Sequence, residues 1–200
     1  MTVRLKFFGG ARTVTGSRYL LEVDNFKILV DCGLFQGIKE LRLKNWENFP
    51  VNVEEIDAVL ITHAHIDHTG YLPRLVREGY GGPIYCTKPT EDLMQIMLMD
   101  SAKLQEEEAA FARKKGYSKH ENPQPLYNSR DVDQVMPMIK SFDFNELIQV
   151  SDHIKIKFHN AGHILGAAVI EVLLNGSNQD KRLLFSGDLG RNEDVLLYPP

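Results

Sequence analysis

Histidine and aspartate residues that could bind metal ions are concentrated in one short segment of the chain. Residues 62–68 read Thr-His-Ala-His-Ile-Asp-His, so three of the seven histidines lie close together, with an aspartate among them. Imidazole nitrogen and carboxylate oxygen suit zinc, and iron or manganese also accept them. Simple counting makes this density improbable for an arbitrary stretch of the same composition. The segment therefore predicts a metal site rather than an ordinary polar loop.

The spacing of these residues indicates how two ions could be held. His63 and His65 are two positions apart, so in an extended segment both side chains project to the same side and can bind one ion. Asp67 and His68 follow where the chain is predicted to turn into a helix, which would direct them towards a second ion nearby. The segment alone thus supplies part of a site for two metals.

Two further residues are candidate ligands. His163 lies in a turn bounded by glycines, and Asp188 follows a short apolar strand. Alone, each is a weak signal, because a loop histidine is usually solvated and an aspartate after a strand commonly belongs to a turn. They can act as ligands of the same metal site only if the fold brings them close to the 62–68 segment.

The elements that must position these residues are strands and helices in alternation. Strands are predicted at residues 3–8, 17–23, 26–30, 56–61, 83–86, 154–158, 167–174 and 182–185. Helices are predicted at residues 69–78, 90–115 and 130–140. Thr90 is the expected cap of the second helix, and Pro137 is expected to kink or end the third. The run 56–61 is almost wholly apolar, as expected of a central strand that is covered on both faces and leads directly into the metal motif.

Composition indicates one globular domain without a membrane segment. The chain has 200 residues, of which 43% are hydrophobic and 25% charged, and its net charge is −4. Such a charge is not the footprint of a nucleic-acid-binding domain, so an RNA substrate would have to be met by local basic groups or by the metals. Cys32 and Cys86 are far apart and are expected to be buried, reduced thiols. Neither a transmembrane run nor a secretory signal is recognisable, which predicts a cytoplasmic location.

Taken together and in order, these segments resemble the metallo-β-lactamase superfamily. Its four motifs correspond to Asp31, residues 63–68, His163 and Asp188. The segments 31–37, 61–75 and 82–87, with those around His163 and Asp188, are similar to the β-CASP branch, which contains RNA-cleaving nucleases.

The resemblance implies an α/β fold, the αββα sandwich of the metallo-β-lactamases, in incomplete form. Residues 1–200 would be the N-terminal portion of that domain, with a β-CASP domain and the C-terminal remainder absent from this chain. A shortened second sheet would leave an edge uncovered, so self-association, for example as a homodimer, is expected.

The resemblance also implies a function and a role for each candidate residue. The activity of the intact enzyme would be cleavage of RNA phosphodiester bonds by a hydroxide that two zinc ions activate, and the chain by itself could be inactive. The implied ligands of the first ion are His63, His65 and His163. Asp67 and His68 would bind the second ion, and Asp188 would bridge both. Asp67 and Asp188 are the catalytic candidates. Asp31 is expected to orient the ligand loop rather than to bind metal.

Two other functions stay open at this stage. One is hydrolysis of a small thioester, lactone or β-lactam by a member of the same superfamily, against which the β-CASP-like segments argue. The other is a non-catalytic scaffold subunit of an RNA-processing complex, against which the intact ligand set argues.

Two further features are interpreted as structural rather than as RNA-binding. Residues 113–115 are basic and could contact phosphates, but such a run is typical of a solvated helix end. Trp46 and Phe49 could stack on a base, but local packing is the more usual role of such a pair.

Overall fold

The computed structural model of the chain describes residues 1–116, 122–176 and 179–200. Within these ranges the chain forms ten strands and five α-helices. The strands are β1 (Val3–Gly9), β2 (Arg18–Val23), β3 (Phe26–Val30), β4 (Ala58–Leu60), β5 (Ile84–Thr87), β6 (Ile139–Phe142), β7 (Ile148–Ser151), β8 (Ile154–Asn160), β9 (Ala168–Leu174) and β10 (Lys181–Phe185). The helices are α1 (Lys39–Leu43), α2 (Ile66–Thr69), α3 (Leu72–Arg77), α4 (Lys88–Lys115) and α5 (Ser129–Val135).

The strands form two sheets. In the first sheet the order is β1-β2-β3-β4-β5-β6; β1, β2 and β3 pair antiparallel, whereas β3, β4, β5 and β6 pair parallel. The second sheet has the order β10-β9-β8-β7 and is antiparallel throughout. Parallel pairing requires crossover connections, and α3 and α4 lie in the segments that precede and follow β5.

The first sheet is covered on both faces, as the apolar run at residues 56–61 predicts. Alternate residues of its central strands pack on opposite sides: Val59 belongs to a core shared with the helices, whereas Leu60 packs against the second sheet. Phe158 of β8 contributes the largest fully buried ring to the core between the sheets. The described residues therefore form helix, sheet and sheet layers, in agreement with the predicted metallo-β-lactamase type of sandwich.

This topology brings four chain segments to one edge of the sandwich. β3 and β4 are parallel neighbours, so Asp31 and Thr62, which directly follow them, lie side by side. β8 and β10 both pair antiparallel with β9 and hence run in the same direction, which places the segments that contain His163 and Asp188 at a common end. Long-range pairing thus assembles residues that are more than 150 positions apart in the chain.

Three sequence predictions need correction. The cap of α4 is Thr87, whose side chain accepts a hydrogen bond from the Thr90 backbone, so the helix begins at Lys88 and not after Thr90. The helix predicted at residues 130–140 ends at Val135. A single 3-10 turn around Pro137 follows, and the next residues form β6 because their backbone pairs with β5. The strand β7 was not predicted.

Several smaller predictions are confirmed, and two fall outside the description. Cys32 and Cys86 are buried and unpaired, and burial raises the pKa of Cys32 to about 12. None of the described helices has the length and apolar character that a membrane span requires. Lys119 and His120, which follow the basic run at residues 113–115 and could contact phosphates with it, lie outside the described residues. So does part of the segment 175–178, whose sequence Asn-Gly-Ser-Asn predicts a turn.

The core between the sheets can be tested with two neighbouring residues of β8. Phe158→Ala removes a ring that is fully buried and should lower the free energy of unfolding by about 3 to 5 kcal/mol. Lys157→Ala is the matched control, since its side chain lies on the opposite, partly exposed face, and it should cost less than about 1 kcal/mol. Urea denaturation of both variants measures the difference; equal losses would contradict the described packing.

Candidate metal centre

The histidine-rich segment changes conformation midway, and this change separates its ligands. His63 and His65 lie in the extended stretch after β4, and His65 is the last extended residue before α2. Asp67 and His68 lie within α2 itself. The switch from strand to helix directs the two pairs differently, as the spacing predicts.

A first group of ligand atoms contains three imidazoles and one carboxylate. His63, His65, His163 and Asp188 each offer one atom, and these four atoms lie within 4.8 Å of one another. His65 Nδ1 is 3.0 Å from His63 Nε2 and 3.3 Å from His163 Nε2. Asp188 Oδ2 closes the group, at 3.5 Å from His163 Nε2 and 3.9 Å from His63 Nε2.

A second group of ligand atoms lies on the other side of Asp188. The Oδ1 atom of Asp188 is 3.5 Å from His68 Nε2, which in turn is 3.9 Å from Asp67 Oδ2. Asp188 therefore presents one carboxylate oxygen to each group. This is the arrangement that a bridging ligand requires.

The distances within the first group are compatible with ligands that share one metal ion. Ligand atoms that lie 2.0–2.1 Å from a tetrahedral zinc ion are about 3.3 Å apart from each other; the first-group distances of 3.0 to 3.9 Å bracket that value, whereas the second-group distances of 3.5 and 3.9 Å are somewhat longer. Three imidazole nitrogens and one carboxylate oxygen are a donor set suited to a divalent metal ion such as zinc. All six residues proposed from the sequence thus lie close together, and their binding of metal stays a prediction.

Asp31 anchors the ligand segment from behind. Its carboxylate accepts hydrogen bonds from the Thr62 backbone at 2.9 Å, from Ser17 Oγ at 3.1 Å and from His68 Nδ1 at 2.7 Å. The Thr62 hydroxyl lies 3.0 Å from both carboxylate oxygens and from His63 Nδ1. Because Nδ1 of both histidines is occupied in this way, Nε2 of each faces the other ligands.

Burial and neighbouring charges give the histidines different proton affinities. Burial, reinforced by repulsion from three nearby imidazoles, lowers the pKa of His63 to about 2. Burial and His163 likewise lower the pKa of His65. For His68, burial again disfavours the charged form, but the hydrogen bond and negative charge of Asp31 outweigh it and raise the pKa. The lowered pKa values of His63 and His65 favour the neutral form that binds metal, whereas the raised pKa of His68 favours the protonated form, with which a metal ion must compete.

Two glycines allow the loops around the site to approach closely. A Cβ atom on Gly33 would lie only 1.6 Å from the backbone oxygen of Asp67, so any larger residue would displace α2. Gly187 has a φ of +53° and packs against Thr62, where an added Cβ would come within 2.7 Å of that side chain. Next to Gly33, the backbone N of Cys32 donates a hydrogen bond to the backbone O of His68 at 2.7 Å, which connects the segment after β3 to α2.

The site is most exposed at His163 and Asp188. The side chain of His63 is 1% exposed and that of His68 is 5% exposed, whereas those of His163 and Asp188 are 27% and 46% exposed. The most exposed part of the site is therefore formed by the β8–β9 loop and the segment after β10.

Some residues of the site escaped sequence reasoning, and others are correctly outside it. Thr62 and Ser17 were not assigned a role, although the position of Thr62 between an apolar strand and the first ligand was a usable signal. His159 points away from the site and lies 2.7 Å from Glu171 on the outer face of the second sheet, as its alternation in the strand suggests.

Replacing Asp31 tests its effect on His68. In the metal-free protein, Asp31→Asn should lower the pKa of His68 below its value in the unchanged protein, because the interaction that offsets burial is lost. The interaction of protonated His68 with Asp31 contributes to the free energy of unfolding at low pH, and this contribution is lost as the pH rises through the raised pKa of His68. In Asp31→Asn this contribution is absent. Imidazole NMR titration measures the shift. Asp152→Asn, on an exposed turn, is the control, and an unchanged His68 titration in Asp31→Asn would contradict the interpretation.

Comparison with known proteins agrees with this geometry. Ribonuclease TTHA0252 of Thermus thermophilus is 36% identical over 198 residues, which cover 99% of this chain and 40% of that protein. Transcription termination factor FttA of Methanocaldococcus jannaschii is 34% identical over 197 residues, covering 98% of this chain and 29% of that protein. The chain thus spans less than half the length of these relatives.

A solved structure and a family model extend the comparison. The metallo-β-lactamase GOB-18 of Elizabethkingia meningoseptica has a similar fold, with a TM-score of 0.53 and 18% identity over 97% of this chain and 63% of that one. The model described as "Metallo-beta-lactamase superfamily domain" matches residues 20–196. Since that match spans most of the sequence and includes both groups of ligand atoms, the chain belongs to the metallo-β-lactamase superfamily.

Proposed function

We propose that this chain carries the metal centre of a zinc-dependent ribonuclease of the β-CASP type, which cleaves RNA phosphodiester bonds with two zinc ions. The observation that carries the proposal is the division of the Asp188 carboxylate between two ligand groups, which suits a pair of adjacent ions. The relative from Thermus thermophilus is named a ribonuclease, and the segments at residues 31–37 and 61–75 favour the same class.

Each part of the site has a task in such a reaction. Bound zinc ions would supply Lewis acidity and a lowered water pKa at the phosphodiester. His63, His65 and His163 would hold one ion, and Asp67 with His68 the other, while the Asp31 carboxylate holds His68 in the tautomer whose Nε2 faces the site.

Asp67 and Asp188 are the catalytic residues of the proposal. Asp67 is part of the second ligand group and its side chain is 19% exposed, so its carboxylate can orient a water molecule or take its proton. Asp188 lies at the more exposed side of the site, where a phosphodiester would arrive. The presence of every ligand expected in this stretch of the sequence favours catalysis over the scaffold function. The RNA substrate, a cytoplasmic location and a homodimer belong to the proposal and stay predictions.

The two ligand groups predict a graded loss of metal. His163→Ala should lower the zinc content by about one ion per chain, and His68→Ala should lower it by about one ion through loss of the second site. Asp188→Ala should reduce zinc binding at both sites, because its carboxylate belongs to each ligand group. Mass spectrometry with inductively coupled plasma on the purified variants measures this. His153→Ala, at an exposed turn, is the control. Full zinc content in Asp188→Ala would contradict the bridging role.

Cleavage of RNA should depend on the two aspartates. In the full-length protein, Asp67→Asn and Asp188→Asn should each slow cleavage of a labelled RNA oligonucleotide by about 100-fold or more, since each change removes charge that stabilises the reacting centre. Products of the unchanged full-length protein should carry a 5′-phosphate and a 3′-hydroxyl. Asp152→Asn serves as the matched control. Cleavage near the unchanged rate by either variant would contradict the assignment.

A further inference from the structure

A second concave surface lies next to the ligand-bearing helix α2. This cleft has a volume of about 490 Å³ and separates the segment after β3 from the middle of α4. Its lining includes Gln36, Arg42, Trp46, Ile66 and Glu108. Ile66 lies in the sequence between His65 and Asp67, two of the proposed metal ligands, so the cleft adjoins the segment that carries these ligands.

The two aromatic residues considered for base stacking have different environments. Phe49 packs in the protein, with its ring centroid 5.8 Å from that of Tyr71 and 6.0 Å from that of Phe8. Trp46 is instead 52% exposed, and within the described part of the chain no hydrogen bond or ring contact engages its indole. A flat, half-exposed indole at the wall of a cleft is a suitable stacking surface for a base.

The wall that carries Trp46 is held in place by buried polar contacts. Asn45, 6% exposed, accepts a hydrogen bond from Phe35 N at 2.9 Å and donates one to Phe35 O at 2.8 Å. The buried guanidinium of Arg18 donates to Asn45 Oδ1 at 3.3 Å and to Gly33 O at 2.8 Å. Since Leu34 N in turn donates to Ile66 O at 3.0 Å, this wall is tied to α2 and hence to the metal ligands.

The charges around the cleft suit one nucleotide unit. Arg42 lines the cleft and is exposed, as are Lys39 and Lys44 in the same chain segment, so a phosphate could pass beside Arg42 despite the net negative charge of the chain. Gln36 and Glu108 are exposed at the cleft and offer hydrogen-bonding groups to the edge of a base. Basic, aromatic and polar groups are thus combined in the way that single-stranded nucleic acid requires.

We propose that this cleft is a subsite that binds a nucleobase of a single-stranded RNA substrate, with Trp46 as its stacking surface and Arg42 at the adjoining phosphate. The inference rests on the proposed ribonuclease function and adds a place where the RNA is gripped beside the metal centre. It also explains how an acidic chain can bind RNA through a small local surface.

The single tryptophan of the chain makes the subsite directly observable. Metal-free protein, which leaves the RNA uncut, is titrated with hexa-adenylate RNA while the tryptophan emission is recorded. We expect saturable quenching, because stacking alters the surroundings of the indole. An abasic ribose-phosphate oligomer of the same length should bind more weakly and leave the emission unchanged. The proposal is overturned if both oligomers bind equally or if RNA binds without quenching. The surface would then be assigned to contact with a protein.

Variants give the second part of the test, with binding followed by anisotropy of a fluorescein-labelled hexa-adenylate. Trp46→Ala should raise the Kd about fivefold or more, and Trp46→Phe should restore most of the affinity. Arg42→Ala should also raise the Kd, whereas Arg4→Ala, which removes an equal charge from exposed β1, should not. An unchanged Kd in Trp46→Ala overturns the proposal.

The outcome for the subsite can be separated from that for the function. If the full-length, metal-loaded protein cleaves RNA but the tryptophan emission of this chain does not respond, the subsite is wrong and the ribonuclease proposal stands. If the full-length protein neither binds nor cleaves RNA, the ribonuclease proposal fails and the subsite fails with it.

Discussion

The buried carboxylate of Asp31 is the interaction on which the rest of the site depends. It is 1% exposed and adopts a left-handed φ of 58°, which costs on the order of 1 kcal/mol for a residue other than glycine. This conformation turns the chain sharply after β3 and lets one side chain bind both Thr62 and His68. Hydrogen bonds to a charged acceptor are stronger than neutral ones and offset the strain and the burial of the charge.

The same carboxylate makes the two ligand groups electrostatically unequal. The group around His63 is rich in imidazoles, and burial lowers the pKa of His63 and of His65. The group around His68 lies between Asp31, Asp67 and Asp188, which favour a positive charge there. A divalent ion supplies that charge, so the second group is prepared for a cation before any metal arrives.

The loops that hold the ligands also shape the surfaces where a substrate could lie. Arg18 shows the connection: its buried guanidinium lies 4.1 Å from the ring centroid of Tyr71 and donates to Gly33 O, on the segment that packs against α2. That segment continues into the wall that carries Trp46. The metal centre and the neighbouring cleft are therefore connected through the same chain segment.

Much of the local structure and of the chemistry follows from the sequence: the apolar run before the motif, the alternation of β8, and histidines and aspartates of metal-binding type at His63, His65 and Asp67. These features follow from short-range periodicity and ligand chemistry, which neighbouring residues express. The strand β6 is visible only in the folded structure, because its backbone pairs with distant β5. The sequence indicated a bridging Asp188 only through the family resemblance, and its position between two ligand groups results from the long-range pairing of β9 and β10.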